Sequence, residues 1–243
     1  MTVVGNLTLT LGTLVAPASI TSTAFVVNGN FVHTAGTFTA NSGRVTLGGT
    51  GQSVTGNTTF YQLAKTVVAS DTLTFGAGNT QTISNGLILT GASGQLLNLR
   101  SSTPGVYTNL TLQAGGTQNI SYVDVEDNDA GGGLKLIARN STTLTHTNNW
   151  ALSATFTWTG TTSTDWDTNT NWDLGLVPTT ADTVVIANAG SQPATLATNV
   201  TITTLTINAS ATVNTNGKNL TVSGVLTNNG TLSRFGSETI SFG

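Results

Sequence analysis

Cysteine is absent from the 243-residue chain, charge is scarce, and long apolar runs are missing. The first absence excludes disulfides and thiolate metal sites, and it fits a protein that works outside a cell without oxidative chemistry. Lys and Arg number 7 and Asp and Glu 10, so charged residues make up 7% of the chain, against about 25% in ordinary globular proteins. The seven cations are scattered singly, with no basic stripe to neutralise phosphates, so nucleic acid is excluded as a partner class. No apolar run reaches the roughly 18 residues that a bilayer-crossing helix requires, which argues against membrane insertion. Helical periodicity is lacking too: residues 132–139, GGLKLIAR, come closest and still alternate as a strand does. The opening MTVVGNLTLTLG has no basic region and no cleavage site. A chain that begins directly in strand-like sequence is expected to be a segment of a longer array or a mature form.

What fills the chain is Thr, Asn, Ser and 28 Gly. Short alternating runs recur, among them Leu7-Thr8-Leu9-Thr10-Leu11, Arg44-Val45-Thr46-Leu47, Thr72-Leu73-Thr74-Phe75, Leu87-Ile88-Leu89 and Asn109-Leu110-Thr111-Leu112. Each reads as a short strand. Asn-Gly at Asn28, Asn85, Asn216 and Asn229, with Gly pairs between runs, supplies the turns.

Residues 25–38, FVVNGNFVHTAGTF, return as residues 220–232, LTVSGVLTNNGTL, and Asn6-Leu7-Thr8-Leu9 is answered by Asn199-Val200-Thr201-Ile202. Side-chain class is held while identity drifts, as when each position has a packing duty rather than a chemical one. These matches predict a long repeat, with a first copy over residues 1–150 and a second begun over 151–243. A smaller echo, Gln52-Ser53-Val54-Thr55, Gln81-Thr82-Ile83-Ser84, Gln118-Asn119-Ile120-Ser121 and Glu238-Thr239-Ile240-Ser241, follows Gly-rich lead-ins. Strand phase breaks without a loop at Thr203-Thr204, which a coil turning a corner requires and a hairpin does not. The expected fold is all-β, a parallel β-helix or β-solenoid of short strands with Gly/Asn turns; roughly ten coils at about 4.8 Å each would form a rod about 50 Å long. β-Sandwich domains are the alternative. Trp150, Trp158, Trp166 and Trp172 cluster at the junction, where an aromatic plug is expected at the end of a coil stack.

The W-x-G…D-W…N-W opening at 158–172 followed by V-P and T-V-V-I, with the NLTV-x-G-x-L-x-N-x-G-T-L run at 219–232, resembles large bacterial secreted and cell-surface proteins built from parallel β-helix repeats. Filamentous-haemagglutinin-type adhesins and autotransporter passengers are the better-known examples of that style. The resemblance implies an extracellular or cell-surface β-solenoid. It implies no particular receptor.

Chemistry-bearing residues are few. Asp124, Glu126, Asp127 and Asp129 are close enough in sequence to collect a calcium ion, and Asp165 and Asp167, alternating with Asn169, Asn171 and Asp173, form a second candidate oxygen set. Neither has complete EF-hand spacing, and a solvated acidic loop is the plain alternative. Asp124 and Asp127 are also the acids a polysaccharide-acting enzyme would use, with Arg100, Lys135 and Arg139 as neighbours. His33 reads as an exposed turn residue. Thr-x-Thr pairs suit ice binding only in a regular array, and their spacing in sequence wanders. Tyr61, Tyr107 and Trp166 are candidate sugar-stacking aromatics, with core packing the alternative.

The expectation is therefore a non-enzymatic structural protein without a required cofactor, calcium aside: a fibre, stalk or matrix-filament subunit. Its copies would assemble head-to-tail through uncapped β edges. A carbohydrate-binding adhesin module engaging surface glycans is the alternative; a polysaccharide-acting enzyme or an ice-binding protein stands behind it.

Overall fold

The computed structural model describes residues 1–187 and 192–243. The chain is all-β: its parallel strands stack as a β-solenoid of about ten turns, with a single 3-10 turn at Asn169–Asn171 among the described residues. The sandwich alternative is set aside because every ladder between named strands is parallel. None of the described helices is long and apolar enough to cross a membrane. The chain divides into Met1–Leu152 and Ser153–Gly243.

In the first unit three strand columns follow one another around each coil. One column stacks Thr2–Val3, Val26–Val27, Arg44–Leu47, residues 62–66, residues 86–90 and Thr117–Ser121. The second runs Leu7–Leu9, Phe31–His33, Ser53–Thr55, Asp71–Phe75, Leu97–Ser101, Val123–Asp129 and Thr143–Asn148. The third holds Thr13–Val15 with Thr37–Thr39, then residues 58–60, residues 80–83 and Thr108–Leu112. Alternation puts one side chain of each pair inward, so Phe31, Val54, Phe75, Leu99 and Val125 are fully buried. Phe31, Phe38 and Phe60 join the columns across the interior, with ring centroids 5.2–5.7 Å apart.

The second unit repeats the plan. Its columns are Thr155–Trp158, Thr183–Ile186, Thr204–Ile207 and Leu226–Asn228; Ala194–Thr195, Thr212–Asn214 and Thr231–Ser233; and Val200–Ile202, Leu220–Val222 and Ile240–Phe242. Trp158, Trp166 and Trp172 pack edge to face and stacked at 4.7–6.4 Å, with Phe156 against Trp172. These rings fill the interior of this unit's opening coil, while Trp150 belongs to the first unit's core.

The internal similarity takes its meaning from the coil. Residues 25–38 and 220–232 each fold as three successive column strands. The pattern Gly-x-apolar…Gly-Thr-apolar also occurs one turn earlier, at Gly5, Leu7, Gly12 and Leu14, directly beneath Gly29, Phe31, Gly36 and Phe38. The two sequence matches do not extend each other. Matching 25–38 to 220–232 equates Val26–Val27 with Leu220–Val222, whereas Asn6 with Asn199 equates Leu7–Leu9 with Val200–Ile202, the coil neighbour of Leu220–Val222. Leu7–Leu9 pairs instead with Phe31–His33. The unit of repetition that the ladders display is one coil.

Asn side chains lock coil to coil. Asn6 Oδ1 accepts the N–H of Asn30 at 2.9 Å, and Asn30 Oδ1 that of Ser53 at 2.8 Å. The second unit does the same from Asn199 to Asn219 and from Asn219 to Thr239, each at 2.9 Å. The Gln echo has a related duty. Gln52 donates to the carbonyls of Val27 and Gly29, Gln81 to Gly56 and Gln118 to Lys135, so each buried amide ties two coils together.

Candidate functional site

The ionisable groups gather where the second column of the first unit turns toward the third. Val123 and Val125 face inward, which turns Asp124 and Glu126 outward. The chain then kinks at Asp127, whose φ is +58°, and at His146 in the next coil, whose φ is +45°. Glu126 pairs with Thr145 and Asn128 with Thr147, so Asp127 and His146 stand opposite each other at the same corner. Left-handed backbone is tolerated by Asp, Asn and His more readily than by most residues.

His146 Nδ1 lies 2.5 Å from Asp127 Oδ1, and the Gly105 N–H donates to Asp127 Oδ2 at 2.8 Å. The His146 contact first, and the Gly105 N–H second, hold the Asp127 carboxyl below the usual carboxylate range. Tyr107 stacks on the His146 ring at 4.1 Å and 20°. Alongside, Arg100 bonds Asp124 Oδ2 through Nη2 and the Asp124 carbonyl through Nη1, both at 2.8 Å. Its Nε approaches Glu126 Oε2 at 3.4 Å. Three carboxylates here share one arginine and one histidine, and the Gly105 N–H and the Tyr107 ring tie the loop of residues 102–107 to them.

Each acid expected as a calcium ligand has a protein partner. Asp124 and Glu126 face Arg100, and Asp127 faces His146. Asp129 accepts from the Gly131 N–H and the Asn148 amide at 2.6 and 2.9 Å. Asp165 caps the Asp167 N–H and the Thr168 hydroxyl, and Asp167 takes the Thr198 hydroxyl. The second set does not share one face: Asn171 is buried and ties Thr162, Ser163 and Asp165 together, while Asp173 accepts the Thr157 N–H. Among the described residues no group of three or more His, Cys, Asp or Glu is arranged to hold a metal ion. Of the acids considered for a polysaccharide-acting enzyme, Asp124 is held by Arg100 and Asp127 by His146.

His33 is a strand residue, half-buried and bonded through Nδ1 to Thr58 Oγ1 at 3.1 Å, rather than an exposed turn residue. Trp166 is buried, and Tyr61 and Tyr107 are half-buried, so no exposed row of the three forms.

Lys65 went unnoticed in the sequence. It is fully buried beside Asp71, with Nζ to Oδ2 2.8 Å, and donates to the Gly49 carbonyl at 2.7 Å and Gln52 Oε1 at 3.0 Å. Burial pushes the Asp71 carboxyl up, but Lys65 and the N–H groups of Gly51 and Thr72 outweigh it and hold the group below its ordinary range. The available signal was parity: Lys65 falls on the inward side of its strand with Leu63, and its ladder partner is the buried Leu89.

Residues 157–234 match the model of a domain of unknown function, DUF8693. The matched stretch lies within the second unit and includes its tryptophan cluster. No curated protein and no solved structure matches the chain at the significance required.

Proposed function

We propose that this chain is a structural β-solenoid segment, extracellular or cell-surface, whose copies join head-to-tail into a fibre or stalk. The observation that carries this reading is the state of its coil edges. Leu7–Leu9 pairs on one side only, and so do Thr2–Val3 and Thr13–Val15; Leu226–Asn228, Thr231–Ser233 and Ile240–Phe242 are likewise outermost in their sheets. The Leu7 N–H donates to Asn30 and the Leu9 carbonyl accepts from Thr34, which turns the peptide group of Thr8 to the open side. Leu220 donates to Thr239 and Gly243 to Val222, which does the same for Ile240 and Phe242. Natural edges of this kind are covered or charged; these strands carry no charged side chain and, among the described residues, no strand partner on the open side. Val4 and Leu11 near one set are more than 80% exposed, and Val225 and Phe242 near the other are 62% exposed. The likeness to secreted β-helix proteins, the lack of Cys and the sparse charge support the location.

Sedimentation velocity and negative-stain microscopy across a concentration series test the proposal. The native chain is expected to elongate with concentration, and Thr8→Pro, which removes an edge N–H that no coil of the same unit uses, to stay discrete. Discrete particles of the native chain at every concentration would overturn it. A chelator arm reads calcium separately: fibres that dissolve on chelation would place a metal at the junction between copies.

A further inference from the structure

One face of the second unit is a grid of two rows without charge. Its strands stack with Thr155, Thr183 and Thr204 in one register and Thr157, Val185, Thr206 and Thr227 in the other. Val225 continues the first row, since Leu205 pairs with Leu226 and donates its N–H to the Val225 carbonyl at 3.0 Å. The intervening Phe156, Val184 and Leu205 are fully buried, which fixes the grid residues outward. All the positions are Thr or Val, and the hydroxyls have no protein partner among the described residues.

β-Branched side chains are stiff at χ1, so methyls and hydroxyls hold set positions. They repeat about every 6.6 Å along each strand and about every 4.8 Å from coil to coil. Water beside the methyls loses orientational freedom, while the hydroxyls fix neighbouring waters by hydrogen bonds. Across the grid that restraint becomes periodic in two directions. The grid draws on Thr155, Thr157, Thr183, Thr204, Thr206 and Thr227, whose sequence separations differ because the intervening corners differ in length and whose register is set by the ladders. In the first unit Arg100, Asp124 and Glu126 project from the second column, and the third carries a less regular counterpart, with Thr13 and Val15 beneath Thr37 and Thr39 and with Thr59, Thr82 and Thr111 in one register beside Asn109.

The geometry points to this grid as an adsorption surface for ice. A neutral hydrogen-bonding lattice matches a face that offers nothing to a polyanion or an anionic membrane. A second copy of the chain would have to supply a partner for every buried hydroxyl or leave it unsatisfied. The inference is separable from coil-edge assembly: Val225 and Thr227 lie at the outermost strand, whereas Thr183, Val185, Thr204 and Thr206 stand on strands paired on both sides.

Ice-recrystallisation inhibition by the full chain tests it, with Thr206→Lys at the grid centre and Thr221→Lys, outward on another column, as the control. Both sites face solvent, and matching far-UV circular dichroism and unfolding midpoints establish that both variants fold. The native chain is expected to keep ice grains small. Thr206→Lys is expected to require at least about ten-fold more protein for the same effect, and Thr221→Lys to behave as the native chain does. No inhibition by the native chain, equal effects of the two substitutions, or adsorption to crystalline cellulose without any effect on ice would each overturn the inference.

Discussion

At the scale of single residues, the costliest group in the first unit is Lys65. A buried ammonium is tolerated only when paired and fully hydrogen-bonded, and Asp71, Gln52 and the Gly49 carbonyl meet that requirement. Lys65→Ala leaves a buried carboxylate unmatched and is expected to cost about 3–5 kcal/mol in urea unfolding. Lys65→Met with Asp71→Asn is expected to cost much less, because no charge is then stranded. The pair also sets an acid limit. The Asp71 carboxyl titrates below its ordinary range in the folded chain, so its contribution is fully present above that range and is lost as pH falls through the lower folded value. Unfolding midpoints measured downward from pH 5 should show this decline in the native chain and a smaller one in the double variant. The corner pair behaves differently, because His146 is open to solvent while Asp127 is buried beneath it. His146→Ala should return the Asp127 carboxyl toward its ordinary value and speed amide exchange at Gly105, both readable by NMR. Unchanged exchange would mean that the pair does not hold the loop of residues 102–107.

At the scale of elements, a coil is secured by what crosses to the next one. Asn219 accepts from Thr239 while its own N–H goes to Asn199, so Asn219→Ala is expected to orphan the Thr239 N–H and destabilise the second unit by about 1–3 kcal/mol. Thermal melts decide it, with Asn229→Ala, at a turn, as the control. Close stacking also limits side chains: Gly56 has φ +83°, and a Cβ there would lie 1.7 Å from the His33 carbonyl oxygen, so Gly56→Ala should be among the most damaging surface-loop changes. These elements explain what the sequence could disclose. Alternation in runs such as Leu7-Thr8-Leu9 reveals strands because burial follows parity. Thr203-Thr204 reveals a corner because parity breaks there. Ladder register depends on corner length, which varies, so neither the Thr grid nor the coil-sized repeat could be read by counting residues. The Tyr107–His146–Asp127 corner was illegible for the same reason: its members come from three coils, and the acids alone looked like metal ligands until Arg100 and His146 were placed beside them.

At the scale of the whole molecule, sparse charge decides what kind of association is open to the chain. With a net charge of −3 at pH 7, copies repel one another weakly, and contacts at the coil edges would rest on backbone hydrogen bonds and apolar side chains rather than on ion pairs. Salt screens exposed charges over about 10 Å at 0.1 M, yet it leaves short backbone pairings nearly untouched. Head-to-tail assembly is therefore expected to give nearly the same sedimentation profile in about 0.05 M and about 0.5 M NaCl. It should strengthen modestly as pH approaches the sequence pI of about 5.0, where the residual repulsion vanishes. Assemblies that dissolve at high salt would point instead to the corner of Arg100, Asp124 and Glu126, the densest set of opposed charges in the chain, as the contact between copies. Arg100→Gln would then abolish assembly and Thr8→Pro would not; the edge mechanism requires the reverse.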